Sequence, residues 1–444
     1  MRRIDVSADE IVSALLRQPS ERGVSLLDSC GVGRRGSNLL IAGIDPISVS
    51  RITHKDADLS LKAFETELGR TDLAAMFTIS YDFGAKLNRI SPGPMTAEPD
   101  IYLGLYRNLV IHDYDTHSSF VCGPPEAFDR DLLTVKSGSV RPVSGGPRPF
   151  ARSNFTREAY LRGVEGIQEL IRSGETYQTN LTQQFRVPVV DSPVDIFERL
   201  RSDHPAPFAA FIDRGDSTVV SASPEQFLRV ERSTDGATIS SLPIKGTRRR
   251  GTTASEDDRL RTELLSSLKD RAENTMIVDL MRNDLGRICE FGSVKVDELC
   301  RIETHPSLFH LVSKVAGKLK RDIGYADILR SAFPAGSITG APKIRTMKII
   351  DELENCPRGL SMGAIGCRIP AAWASAHEVF EMSVAIRTMV IREDKAVFNV
   401  GGGVVIDSDP VNEYDESLLK AKALFRALGL KEPAATRDLT ADRK

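Results

Sequence analysis

The sequence predicts an α+β protein, on two observations. Strand-period and helix-period segments alternate irregularly, so no regular βαβ series can be traced. The helices carry clear start and stop signals, and several successive strands lie between them.

The elements follow in order. Ser7-Ala8-Asp9-Glu10 is a capping box that opens an amphipathic helix through Ile11, Leu15 and Leu16. Residues 74–84 (AAMFTISYDFG) and 100–115 (DIYLGLYRNLVIHDYD) read as strands. Residues 138–150, rich in Gly, Pro and Ser, mark the best internal boundary. That divides the chain into a region 1–140, a second unit 150–430 and a loose polar tail 431–444. Thr156 caps a helix with apolar positions Tyr160, Val164, Ile167 and Ile171, stopped at Gly174. In the strand that follows, Tyr177, Leu181 and Phe185 take one face, while Gln178, Asn180 and Thr182 take the other. Residues 218–230 and 238–245 read as further strands, and 255–285 as one long helical stretch. After a strand pair near 379–406, Asp409-Pro410 supplies the cap and first residue of a last helix, stopped at Gly429.

The bulk numbers are those of an ordinary globular chain: 444 residues, 41% hydrophobic, 27% charged, net charge −2. This balance points to no nucleic-acid partner and no membrane partner. No stretch reaches the ~18 apolar residues of a membrane span, and the N-terminus lacks the apolar core of a secretion signal. Six scattered cysteines with neither CxxC nor zinc spacing suit free thiols in a reducing cytoplasm.

Several residues could carry chemistry, each with a blander reading beside it. Asp270 with Glu273, and Glu413 with Glu416, are acidic pairs three apart on helices. Two such pairs facing each other would make an all-oxygen site for a hard cation. From spacing alone, acids that complement the helix dipole are the stronger reading. Lys420 shares the face of Glu413 and Glu416, as a solvated ion pair would. Gly336–Lys343 is a glycine-containing loop into a helix but lacks P-loop spacing, so it gives no support for ATP chemistry. Gly401-Gly402-Gly403 is a glycine-rich bend or a place of close backbone approach. Lys245 precedes Arg248-Arg249-Arg250, a solvated basic run or a crowd of cations that would activate the lysine. Glu225 reads as a turn carboxylate, and His310 as a packed core histidine.

Taken in order, these motifs resemble the chorismate-binding enzyme family, which includes anthranilate synthase component I, aminodeoxychorismate synthase component I, isochorismate synthase and salicylate synthase. The matching blocks are SGETYQTNLTQQF, SASPEQFL, PIKGTRRRG, DRAENTMIVDLMRNDLGRIC, HLVS, FPAGSITGAPKIRTMKIIDELE, GAIGC, AIRT and GGGVVIDSDPVNEYDESLLKAKAL. They cover about 155–428 densely, while SLLDS and ISYDFG match more loosely in the N-terminal region. The resemblance implies a large sandwich of two antiparallel sheets within surrounding helices, with a deep active-site cleft.

It also implies roles. Glu273 and Glu416 match direct Mg²⁺ ligands, and Asp270 and Glu413 match acids that hold the metal through water. Arg387 and the backbone at Gly403 match the clamp on the enolpyruvyl carboxylate of chorismate; Thr339, Gly246 and Thr247 line the pocket, and Lys420 lies beside the ring carboxylate. Glu225 matches the general acid for the C4 hydroxyl, so a raised pKa is expected. His310 matches a histidine beside the substrate. Gln178 stands where relatives that add water carry a lysine, which argues for amination. Lys245 in PIKGT resembles the aminodeoxychorismate synthase branch, whereas anthranilate synthases have alanine there. Cys367 stands where aminating relatives carry a substrate-binding tyrosine, and Ser29 matches a tryptophan pocket.

The implied reaction is Mg²⁺-dependent conversion of chorismate and ammonia to 4-amino-4-deoxychorismate through a covalent Lys245 intermediate, toward 4-aminobenzoate and folate. Cys30, in SCGVG, lacks the context of an amidotransferase nucleophile. The resemblance therefore implies a separate glutamine amidotransferase subunit, and a separate lyase downstream. Anthranilate synthase component I is the alternative, and a catalytically silent amino-acid-binding paralogue the second.

Overall fold

The helix starts fall where short-range chemistry puts them. In the computed structural model, Ser7 caps the helix Ala8–Leu16 through a complete capping box with Glu10, and Ile11, Leu15 and Leu16 are buried. Thr156 accepts from the Ala159 N–H at the start of Arg157–Arg172, and Asp409 from the Asn412 N–H at the start of Pro410–Ala427. Gly174 and Gly429 lie just beyond these two helices at φ +79° and +74°, where a side chain would be strained. The structure describes residues 1–34, 37–90, 96–124, 150–304, 308–373 and 377–430, with the backbone of Arg437–Asp438. The expected boundary at 138–150, apart from Phe150, and the expected tail 431–444, apart from that backbone pair, lie outside these residues.

Among the described residues the strands form two sheets, one of 13 strands and one of 10. Their pairings are antiparallel except for a short contact between Arg437–Asp438 and Arg152–Ser153. In the larger sheet, Ser25–Asp28 pairs with Phe208–Asp213, and the row continues through Thr218–Ser223, Thr388–Arg392, Lys395–Val404 and Gln178–Pro188. In the smaller, Ile244–Arg249 and Leu308–Lys318 lie at one end, and Ala74–Ile79 joins through Ala364–Ile369. N-terminal strands thus complete both sheets. No described helix is long and apolar enough to cross a membrane.

Three expectations change. The stretch 255–285 is two helices, Ala254–Ser266 and Leu268–Gly286, broken at Ser267. Ser267 takes an extended conformation, and its hydroxyl accepts from the Asp270 N–H, so it caps a new helix. Residues 74–84 are a strand only to Ile79; Ser80 caps the helix Tyr81–Leu87. Tyr177 is 68% exposed and precedes its strand, while Gln178–Phe185 is buried on both faces. One of those faces packs Leu181 against Tyr160 and Val164 of the helix alongside.

A buried ion pair ties the loop Gly336–Thr339 to this strand. Arg358 donates to both carboxylate oxygens of Glu354, at 2.8 and 2.7 Å, and to the carbonyls of Ile338 (2.9 Å) and Asn180 (2.7 Å). Glu354 also accepts from the backbone and hydroxyl of Thr182. Arg358→Met would strand Glu354 without its cation, at a cost of about 3–5 kcal/mol. A urea midpoint shift of matching size checks this, and an unchanged midpoint would contradict it.

Candidate active site

Lys245 reaches the cleft because its strand is irregular. The pairing of Ile244–Arg249 with Leu308–Lys318 slips between Ile244 and Thr247, and Gly246 there adopts φ +87°. A side chain at Gly246 would also collide with Asp270 and Leu264. Lys245 Nζ lies 3.3 Å from where a Cβ on Gly403 would stand, and Gln178 Nε2 only 2.0 Å from it. Gly403 belongs to the other sheet, so the amine spans the space between the two sheets and rests over bare backbone. A side chain at Gly403 would displace the Gln178 amide and crowd the Lys245 amine.

The four expected acids gather nearby, each against a cation. Glu273 Oε2 is 3.9 Å from Lys245 Nζ, and Glu416 Oε1 is 2.7 Å from Lys420 Nζ. Asp270 Oδ2 is 3.1 Å from the Arg248 guanidinium, and Glu413 Oε1 is 3.7 Å from Lys269 Nζ. Burial pushes Glu273 above the usual carboxylate range, opposed by Lys245 and Lys269 and assisted by Asp270 and Glu413. Burial also pushes Glu416 upward, but Lys420, with Lys269 and Lys245, holds it below the usual value. The same two lysines thus act on carboxylates from both helices. Lys420 also donates to the Gly401 carbonyl at 2.9 Å, and Ser408 donates to Glu413 at 2.7 Å.

Among the described residues, no three carboxyl, imidazole or thiol groups lie together closely enough to share a metal ion. The donor chemistry still fits a hard cation. Four carboxylates are drawn to one neighbourhood, each neutralised by a side chain that a divalent ion could replace.

Glu225 lies in the turn between Thr218–Ser223 and Gln226–Ser233 and is 6% exposed. Burial raises its pKa to about 7, against the Ser337 hydroxyl, the Lys245 charge and the Ile244 backbone, which lower it. The carboxyl can therefore hold a proton near neutral pH. His310 is buried, and its Nδ1 is 2.9 Å from the hydroxyl of Thr247, its partner across the strands. Thr339 is buried, with its hydroxyl donating to the Ala335 carbonyl at 3.0 Å. Arg387 sits between Glu378–Val384 and Thr388–Arg392 at φ +49°. Burial lowers its pKa, and among the described residues its guanidinium has no acid partner. A half-buried cation without an acid partner is a place for an anion.

Two expected residues lie elsewhere. Cys367 lines a cavity with Ser29, Ser37, Phe208 and Glu381, so the structure groups it with the expected tryptophan-pocket residue rather than with Lys245. Ser29 donates there to Asn38 at 2.9 Å. The basic run does not crowd Lys245: Arg248 pairs with Glu263 and Asp270, Arg249 with Glu256, and Arg250 with Asp257. Sequence reasoning missed Lys269, Ser408 and Ser337. Lys269 is next to Asp270, but its reach to Glu413 is a contact between helices far apart in the chain.

The family model for chorismate binding enzymes matches residues 33–426. The chain is 34% identical to aminodeoxychorismate synthase component 1 of Bacillus subtilis (strain 168), covering 90% of this chain and 91% of that protein. It is 41% identical to anthranilate synthase component 1 of Aquifex aeolicus (strain VF5), over 75% of this chain and 69% of that one. The crystal structure of anthranilate synthase component I from Streptococcus pneumoniae TIGR4 superposes with a TM-score of 0.74 at 29% identity, covering 87% of this chain and 92% of that one.

Proposed function

Because the chain belongs to the chorismate-binding enzyme family, we propose that it aminates chorismate at C4, giving 4-amino-4-deoxychorismate. The observation that carries this reading is the Lys245 amine beside Gly403 and Gln178. A branch that delivers ammonia directly to C2 has no use for a nucleophile there.

In the proposed reaction Lys245, once it has lost its proton to solvent, attacks C2 as the neutral amine. The ring double bonds shift toward C4, the C4–O bond breaks, and Glu225 gives its proton to the departing hydroxyl, which leaves as water. Ammonia then attacks C4, the double bonds shift back, and the C2–N bond breaks so that Lys245 leaves as the free amine. The new C4 ammonium returns one proton to Glu225. The sum is chorismate plus ammonia giving aminodeoxychorismate plus water. Arg387 would clamp the enolpyruvyl carboxylate, with Gly403 offering backbone, and Lys420 would face the ring carboxylate. Glu273 and Glu416 would hold Mg²⁺ directly, with Asp270 and Glu413 behind them. The bound ion would supply positive charge for the ring carboxylate. His310 and Thr247 would form a hydrogen-bonded wall of the pocket.

The ammonia would come from a separate glutamine amidotransferase subunit, and a separate lyase would complete 4-aminobenzoate for folate. Ser29 and Cys367 would line a distinct amino-acid pocket, and the enzyme would work in the cytoplasm.

Intact-mass analysis tests the reading: protein, chorismate and Mg²⁺ without ammonia should yield an adduct of chorismate less water, mapped to Lys245. Anthranilate and pyruvate on adding ammonia, with no adduct, would assign the chain to the anthranilate branch instead.

A further inference from the structure

Asn180 takes no part in the reaction as drawn, yet its placement is unusual. Both of its backbone groups are engaged: the N–H donates to the Thr339 carbonyl at 2.8 Å, and the carbonyl accepts from Arg358 at 2.7 Å. Its side chain is different. The residue is 6% exposed, and its Nδ2 is buried without a hydrogen-bond partner. Two residues earlier, Gln178 is 1% exposed, and its Oε1 is likewise buried without a partner. Buried amide groups left unsatisfied are costly and rare, and one donor and one acceptor on the same strand face ask for a common partner.

That face is the reactive one. Asn180 lies directly opposite Gly403 in the antiparallel register, and opposed residues project to the same side of a sheet. The same side of Gly403 meets Gln178 Nε2 and Lys245 Nζ. The Thr339 carbonyl that fixes Asn180 belongs to the loop of Ser337, whose hydroxyl is likewise buried without a hydrogen-bond partner.

We infer that Asn180 is a further substrate-contacting residue, whose amide N–H, together with the Gln178 carbonyl oxygen, reads the neutral ring hydroxyl of the substrate. The inference rests on the chorismate reading above. A hydroxyl donates to one amide and accepts from the other. A carboxylate offers acceptors only and would leave the Gln178 oxygen facing negative charge, so this pair is not a second carboxylate clamp. Asn180 orients the group that Glu225 protonates and transfers no proton itself.

The test measures equilibrium binding of two stable aromatic analogues of chorismate, one keeping the ring hydroxyl and one lacking it. The full-length protein is used with Mg²⁺ present. Wild type should prefer the hydroxylated analogue by about tenfold or more, the scale of one satisfied buried hydrogen bond. Asn180→Ala should lose most of that preference, a change that loosened packing would not produce because it weakens both analogues together. Should Asn180→Ala fail to fold, Asn180→Leu keeps nearly the same shape with neither donor nor acceptor, and it should likewise lose most of the preference. Wild-type discrimination retained in a folded variant overturns the role of Asn180 while leaving the chorismate reading intact. Failure of wild type to bind either analogue overturns that reading, and this inference with it.

Discussion

Lys245→Ala is expected to reduce formation of the 4-amino product by on the order of 10³-fold or more, because it removes the nucleophile of the first displacement. The substitution removes the amine from its place beside Gly403 and 3.9 Å from Glu273. Among the described residues, Lys245 is the lysine lying against Gly403, while Lys269 and Lys420 are engaged with Glu413 and Glu416. The fold should survive, since the pair it breaks is partly exposed on both sides. With the amine gone, the pocket has room for ammonia to reach C2 directly. A small yield of fluorescent anthranilate, with pyruvate released, is the expected side product. Chromatography of products after incubation with chorismate, Mg²⁺ and ammonia reads both outcomes, with a thermal melt as the folding control. Undiminished 4-amino product would remove Lys245 from the mechanism.

What was legible in the chain depended on the distance over which each interaction acts. The caps at Ser7, Thr156 and Asp409 are contacts within one turn, and all three stand where the sequence places them. The break at Ser267 is equally local but is hidden in the sequence, because the two helices follow each other without the glycine or proline that usually marks a stop. The strand Ala74–Ile79 was legible as a strand, but its partner Ala364–Ile369 was not, since pairing depends on the rest of the sheet being in place. The same limit governs the site. The spacing of Asp270 with Glu273 and of Glu413 with Glu416 shows two acidic helix faces; only the family resemblance set them against each other. The cations between them, Lys269 above all, act across elements remote in sequence. The arginines after Lys245 looked like a local electrostatic crowd until the helix Ala254–Ser266 supplied them with acids. Cys367 fell into place for a related reason, since a motif match fixes a position along a strand without fixing which cavity its side chain enters.

Glu225→Gln should lower turnover by about 10²–10⁴-fold, the usual contribution of a positioned general acid. It should also remove a specific feature of the pH profile. With its pKa raised to about 7, Glu225 carries the required proton below neutrality and loses it above. Because Lys245 must also shed its proton, which favours higher pH, the Glu225 proton should appear in wild-type turnover as an inflection near pH 7 that the residual activity of the glutamine variant lacks. Stability gives an independent reading with a definite sign. The folded-state pKa lies above the ordinary value of 4.5, so between those two points the folded protein binds more protons than the unfolded chain. This contribution is fully present below about 4.5 and is lost as pH rises through 7, when burial must accommodate a carboxylate. The glutamine variant, neutral throughout, escapes that loss. Chemical denaturation at pH 5 and pH 8 should accordingly show wild type weakening more than Glu225→Gln over the interval. Parallel losses would mean that the carboxyl is already ionised in the folded protein, and a group ionised at rest has no proton to give the departing hydroxyl.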